Sequence, residues 1–297
     1  MKNSPSDRIF LGLIYALLLL MAFAMLYPFW NSIVISFNVG SDTNRGGITF
    51  WPRQFTLENY GVVFQDKRLM TGFLISVLRT VIGTLLSIVC TAVFAYGMSK
   101  KQLMGRKWYM ILCIITMYFS GGLIPSFLIN RELGLMDSFW VMIVPNIISV
   151  WNMIIFRTFF LELPEGLEES AKIDGCGHWG TFFKIVVPIS GPVIATLSLF
   201  SAVWHWNDWF TASIYITTEH LLPIQTLLQQ ILSSNIMSEQ MMQTNAAAQG
   251  HMARLQSVTT KSLTMSTMLV ATIPILLVYP FLQKYFTKGV LIGSIKE

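Results

Sequence analysis

Charge is scarce in this chain. Only 12% of its 297 residues are Asp, Glu, Lys or Arg, about half the share of a soluble domain. With 54% apolar residues, it cannot keep a globular surface in water, and the bilayer must be the solvent for most of it. Cysteine is scarce too. Cys90, Cys113 and Cys176 lie in two apolar runs and one polar loop, which excludes a disulfide framework and predicts free thiols. His178, His205, His220 and His251 are scattered and H-E-x-x-H is absent, so no metal site is assigned. The pattern G-x-x-x-x-G-K-[ST] is missing, so the chain has no phosphate-cradling loop of its own. No Ser/His/Asp set is readable from spacing, and no residue is assigned a catalytic role. The net charge of +5 fits Lys and Arg on the inner side of a membrane and gives no reason to expect nucleic-acid binding.

Long apolar runs are what the chain has. They predict an all-α, polytopic membrane protein, a single transmembrane domain over residues 1–297 with six spans at about 10–37, 71–98, 108–130, 139–160, 186–213 and 264–286. The first run follows a basic start but is of full span length, so it reads as a retained helix and not a cleaved signal. Tyr27-Pro28 interrupts it, and a tilt or kink is expected there. Gly121, Gly122 and Pro125 lie near the far end of the third span, and the fourth holds Pro145, Asn146, Trp151 and Asn152. Residues 214–262 are too polar to cross and should form helices and loops on one side. Arg79 lies inside the second span near its outer end. An intramembrane charge suggests function, but this one could also snorkel or pair structurally.

Counting basic residues orients the chain. With the N-terminus inside, twelve of the 20 Lys and Arg fall in inner segments and eight in outer ones. The bias is sharper in the short loops, where it is most reliable: Lys100, Lys101, Arg106 and Lys107 between spans two and three against Arg131 between three and four. Six spans then put both termini and the loop at 163–184 in the cytoplasm.

That loop is the most informative stretch. It reads LPEGLEESAKIDGCGHWGTFFKIVVPISGP over Leu163–Pro192. Pro164 suits the first turn of a helix, and Glu165, Glu168 and Glu169 complement its dipole. Gly175 fits the left-handed residue that ends it. Trp179, Phe182, Phe183 and Val186 then recur at helical spacing. The expected form is a short polar helix, a glycine turn and a helix entering the membrane. From its charges alone, the stretch could be an ordinary solvated loop helix.

The spacing goes further. Glu169-Ser170-Ala171, three residues, Gly175, nine residues, then Ile185-Val186-Val187-Pro188 resembles the EAA loop of binding-protein-dependent ABC importer permeases. Ser170 stands for an alanine and Val187 for a leucine. Other elements resemble those of carbohydrate-type permeases: Thr56-Leu57-Glu58-Asn59-Tyr60 before span two, Leu133-Gly134-Leu135-Met136-Asp137-Ser138 after span three, and the tail Lys284-Tyr285-Phe286-Thr287-Lys288-Gly289 with Gly293-Ser294. The tail is similar to that of the MalG-like branch, nearest its LplC-like subgroup, with Thr287 and Glu297 as departures.

The resemblance implies a type I importer fold and a bacterial cytoplasmic-membrane location. It implies a second permease subunit, two ATPase subunits that bind the ATP-Mg, and an extracytoplasmic solute-binding protein; this chain itself would hold no cofactor. Glu169, Ser170, Ala171, Asp174, Gly175 and Pro188 would serve ATPase coupling, with Glu169 meeting a basic residue of the ATPase. Phe182 and Phe183 would tie the loop to the spans, or simply pack in the core. Lys288, Gly289 and Gly293 would contact the ATPase, unless the tail is only a frayed end. Trp206, Asn207 and Asp208, with Asn146 and Asn152, are candidate pathway residues, since aromatic faces beside hydrogen-bonding groups suit sugar rings. The other reading of Trp204–Trp209 is an interfacial tryptophan belt, because it lies about 30 Å along the helix from Pro188. The implied solute is an oligosaccharide; another solute class, or a membrane-embedded enzyme or sensor, is the alternative. An enzyme would need convergent catalytic groups and a sensor a signalling domain, and neither is present in the sequence.

Overall fold

In the computed structural model, residues 5–244 and 259–294 are described, and their regular elements are helical apart from an isolated bridge between Asn38 and Phe55. The first half of the chain forms α1 (Pro5–Ser36), α2 (Gly40–Thr43), α3 (Glu58–Gln65), α4 (Lys67–Ser99), α5 (Arg106–Tyr118) and α6 (Leu123–Glu132). The second half forms α7 (Val150–Glu162), α8 (Glu165–Ile173), α9 (His178–Thr181), α10 (Val187–Ile189), α11 (Gly191–Asn207), α12 (Phe210–Tyr215), α13 (Ile224–Thr244) and α14 (Thr260–Ser294). Of the expected polar region at 214–262, residues 245–258 lie outside the described residues.

Three stretches are long and apolar enough to cross a bilayer unaided: Ile9–Ser36, Lys67–Ser99 and Thr260–Leu277. They overlap the expected first, second and sixth spans at 10–37, 71–98 and 264–286. The expected third, fourth and fifth spans are not single helices. Each is a pair of helical segments, bent by 114°, 48° and 83° respectively. The causes are local. Gly122 takes φ 83° between α5 and α6, a conformation only glycine adopts readily, and Pro125 offers no N–H in the first turn of α6. The fourth begins as two 3₁₀ turns, Phe139–Met142 and Val144–Asn146, around Pro145. α7 then starts at Ser149, whose hydroxyl accepts from the Asn152 N–H at 3.3 Å, an N-cap. In the fifth, a π turn at Phe182–Val186 leads to a break at Ser190. There Pro188 and Pro192 remove two helix donors, and the Ser190 hydroxyl bonds back to the Val186 carbonyl at 2.7 Å.

The packing falls into two compact units, Met1–Met70 with Leu228–Thr272 and Thr71–Leu227 with Ile273–Glu297. In the first, α1 exposes its apolar side chains from Ile9 to Trp30 and becomes buried only at Val34–Ser36. Asn59, of the T-L-x-N-Y element, explains how that end is fixed. It is fully buried, and its amide donates to the carbonyls of Ser36 at 2.8 Å and Asn38 at 3.0 Å. Tyr60 meets the Ser36 hydroxyl at 2.8 Å. Asp42 accepts from Asn38 and Arg53, each at 3.0 Å, which holds its carboxyl below the usual range.

The core of the second unit joins α4, α7, the π turn and α11. Ile88, Ala95, Tyr96, Met153, Phe156, Phe160, Phe182, Val186 and Leu197 are buried together. This core sits directly behind the loop at 163–184.

Candidate functional site

α8 carries most of the loop's charged residues, and its faces differ. Ala171 is buried, Glu168 is half-buried, and Glu169, Ser170 and Asp174 are exposed. Ile173, 86% exposed, puts an apolar side chain beside that acidic face. Glu169 has no ion-pair partner among the described residues. The helix ends as its glycine predicts. Gly175 takes φ 77°, and the Cys176 N–H reaches back to the Ala171 carbonyl at 2.8 Å, the six-to-one bond of a Schellman cap. A Cβ at Gly175 would meet nothing within 4 Å, so the chain's own need for glycine here is the backbone angle, not space. Pro188 stands apart from this group, exposed, just before the Ser190 break.

Phe182 and Phe183 separate. Phe182 is buried, with ring centroids 5.0 Å from Tyr96 and 6.4 Å from Phe160, so it packs in the core and ties the loop to α4 and α7 at once. Phe183 is 52% exposed and stacks on Trp179. Glu168 pairs with Lys100, just past the end of α4, and the Lys100 ammonium lies 3.8 Å from the centre of the Tyr96 ring. Sequence reasoning missed this contact, because its partners are 68 residues apart and no motif links them.

At the other end of the fifth span, α11 stops at Asn207, and Asp208 has an extended backbone. Arg79, on α4, is fully buried. One of its guanidinium nitrogens donates to the Asp208 carbonyl at 2.5 Å and another pairs with the Asp208 carboxylate. The snorkelling alternative for Arg79 is therefore overturned; the side chain turns inward to an anion. A signal for this was present: opposite charges near the ends of two apolar spans, each costly in lipid alone. His205 lies against Gly83, where a Cβ would come within 2.7 Å of its ring. Trp206 is buried edge-on to Phe73 at 5.8 Å. Asn207 is exposed and spends its amide on its own helix, at the Val203 carbonyl, 2.9 Å. Trp204 and Trp209 are exposed, as either a belt or a binding surface requires. Asn146 is exposed in the second 3₁₀ turn and Asn152 is buried on α7; neither is brought to Asn207 by any hydrogen bond among the described residues.

The Leu133–Ser138 element proves to be a clasp. Gly134 takes φ 67° and the Leu135 N–H closes α6 on the Asn130 carbonyl at 2.9 Å. Asp137 takes φ 53°. Its carboxylate accepts from the N–H groups of Thr217 and Thr218 at 2.9 and 2.8 Å and from the Thr218 hydroxyl at 2.5 Å. These bonds pull its pKa down to about 2. Lys288, Gly289 and Gly293 fall within the last turns of α14; their contacts lie outside the described residues. Among the described residues, no three His, Cys, Asp or Glu side chains converge as a metal site would need.

Residues 89–292, which include the whole loop, match the family described as binding-protein-dependent transport system inner membrane component. The chain belongs to that family. It is a transport permease, similar along its whole length to two proteins of Bacillus subtilis strain 168. One is the polygalacturonan/rhamnogalacturonan transport system permease protein YtcP, 44% identical over 299 residues that cover 100% of each chain. The other is the protein LplC, 39% identical over 303 residues, covering 100% of this chain and 98% of LplC. The fold is also that of a chain in the crystal structure of a bacterial ABC transporter involved in the import of the acidic polysaccharide alginate. That match has a TM-score of 0.85 and 29% identity, over 96% of this permease and 99% of that chain.

Proposed function

We propose that this permease forms half of the translocation pathway of an ATP-driven importer for acidic oligosaccharides. In this reading the whole chain acts as one permease domain. It pairs with a second permease subunit, two ATPase subunits that hold ATP-Mg, and an extracytoplasmic solute-binding protein. The observation that carries the reading is the outer face of α8. Glu169 is exposed and has no ion-pair partner among the described residues, and with Ser170, Ile173 and Asp174 it lies just before a glycine cap in a chain that is otherwise poor in charge. Such a face suits docking to a basic groove. ATPase closure would displace α8 and so open the pathway by alternating access. The tail with Lys288, Gly289 and Gly293 would add a second ATPase contact. Both chain ends and α8 would be cytoplasmic, and a reporter fused at Lys172 that reads the extracytoplasmic side would contradict this.

Two of the relatives are named for acidic polysaccharides or their transport, and this supports the solute class. Local charge is compatible. The Asp208 carboxylate is covered by Arg79, so it would not repel an anionic sugar near Asn207 and Trp209. Buried Trp206, with Asn146 and Asn152, would shape the walls. The test is ATP hydrolysis by the reconstituted complex with its binding protein, across oligogalacturonides, alginate oligosaccharides, neutral oligosaccharides and amino acids. Stimulation by the acidic oligosaccharides is expected. Stimulation by amino acids alone would overturn the solute class, and no dependence on the binding protein would overturn the importer reading.

A further inference from the structure

Two adjacent glutamates on α8 point in different directions, because neighbours on a helix are about 100° apart. Glu169 faces out. Glu168 faces in, to Lys100, with the two side chains 27% and 24% exposed. A freely exposed pair of this kind contributes little, but here the ammonium is also seated on the face of Tyr96, a second attraction. Tyr96 is in turn buried against Phe160 and Phe182 at 6.1 and 5.0 Å. The end of α4 is fixed further by the Arg157 side chain of α7, which donates to the Met98 carbonyl at 3.1 Å.

The surroundings show why this contact matters. Beside it is a partly open pocket of about 220 Å³ lined by Tyr96, Glu168, Cys176, Gly177, His178 and Thr181. Close-packed interiors transmit displacement, and a void does not. Among the described residues of α8, Ala171 is buried and Glu168 pairs with Lys100 just past the end of α4. We propose that Glu168, Lys100 and Tyr96 form the clamp through which displacement of α8 reaches α4, while Glu169 is left for the ATPase. The proposal rests on the reading that α8 docks on that subunit. Lys100 is then a positioning residue: it touches neither solute nor nucleotide.

The test uses the complete complex in lipid nanodiscs. A nitroxide is placed at Leu78, an exposed position on α4, in a chain with Cys90, Cys113 and Cys176 replaced by serine. ATP with vanadate is the probe. The unaltered clamp should give a nucleotide-driven change in the spectrum at Leu78. Lys100→Met and, separately, Glu168→Gln should abolish that change while the ATPase still co-purifies, and Lys100→Arg should restore it. The same nucleotide-driven change in Lys100→Met as in the parent would overturn the clamp. So would no nucleotide-driven change in the parent. Glu169→Lys in the same background separates the two ideas: retained ATPase and an intact response there would overturn α8 docking itself, whatever Lys100→Met shows.

Discussion

Arg79 heads the largest fully buried side chains among the described residues, and it is charged. Two of its nitrogens are met by one anion, Asp208, 129 residues away, while its Nε is buried with no hydrogen-bond partner. Removing one partner of a buried pair strands the other, at about 3–5 kcal/mol, whereas replacing both with apolar groups is often near neutral. Arg79→Met should therefore destabilise the purified permease strongly, and Arg79→Met with Asp208→Leu should recover most of the loss in thermal unfolding. Equal losses in the single and double variants would mean that the pair is not the source. Asp137 makes a different case, since it lies in a loop outside the spans. Its carboxyl falls from 3.8 to about 2 in the folded chain. A lowered folded pKa gives stability that is present above the unfolded value and lost as pH falls through the folded one. Asp137→Ala should lower the melting temperature at pH 7, and its gap from the wild type should close between about pH 4 and pH 2. A gap that is constant over that range would exclude the charged clasp.

At the scale of the element, α8 and its cap follow from the sequence. Pro164, the early glutamates and Gly175 each have a local conformational reason, and local reasons are what a sequence displays. Gly175→Val puts a β-branched residue at φ 77°, a backbone that costs such a residue roughly 1–2 kcal/mol or more. Because a Cβ there would meet nothing within 4 Å, the variant should insert normally but hold the ATPase poorly and transport little. Wild-type transport by Gly175→Val would show that the cap geometry has no functional use. The bends in the third to fifth spans were less legible. Gly121, Gly122, Pro125, Pro145 and Pro188 were all visible as helix-breaking residues. Apolar composition, however, records depth in the bilayer and not direction, so it could not show a turn of 114° at Gly122. The Arg79–Asp208 pair left only the trace of opposite charges near the ends of two apolar spans, and the Lys100–Glu168 pair left none, because it joins segments 68 residues apart and spacing along one helix does not record it.

For the whole molecule, the sequence motifs sort by what the fold does with them. The elements around Asn59 and Asp137 close backbone near the ends of helices, through the Asn59 amide group and the Asp137 carboxylate. The loop at Glu169 is different, because Glu169 is exposed and has no ion-pair partner among the described residues. The central claim is that energy enters the permease through that face. Its most direct test is Glu169→Lys, assayed with the full complex for ATPase co-purification and for ATP-driven solute uptake, with membrane insertion measured alongside. The account predicts normal insertion, weakened ATPase retention and lost uptake. Wild-type retention and uptake in the charge-reversed protein would contradict it.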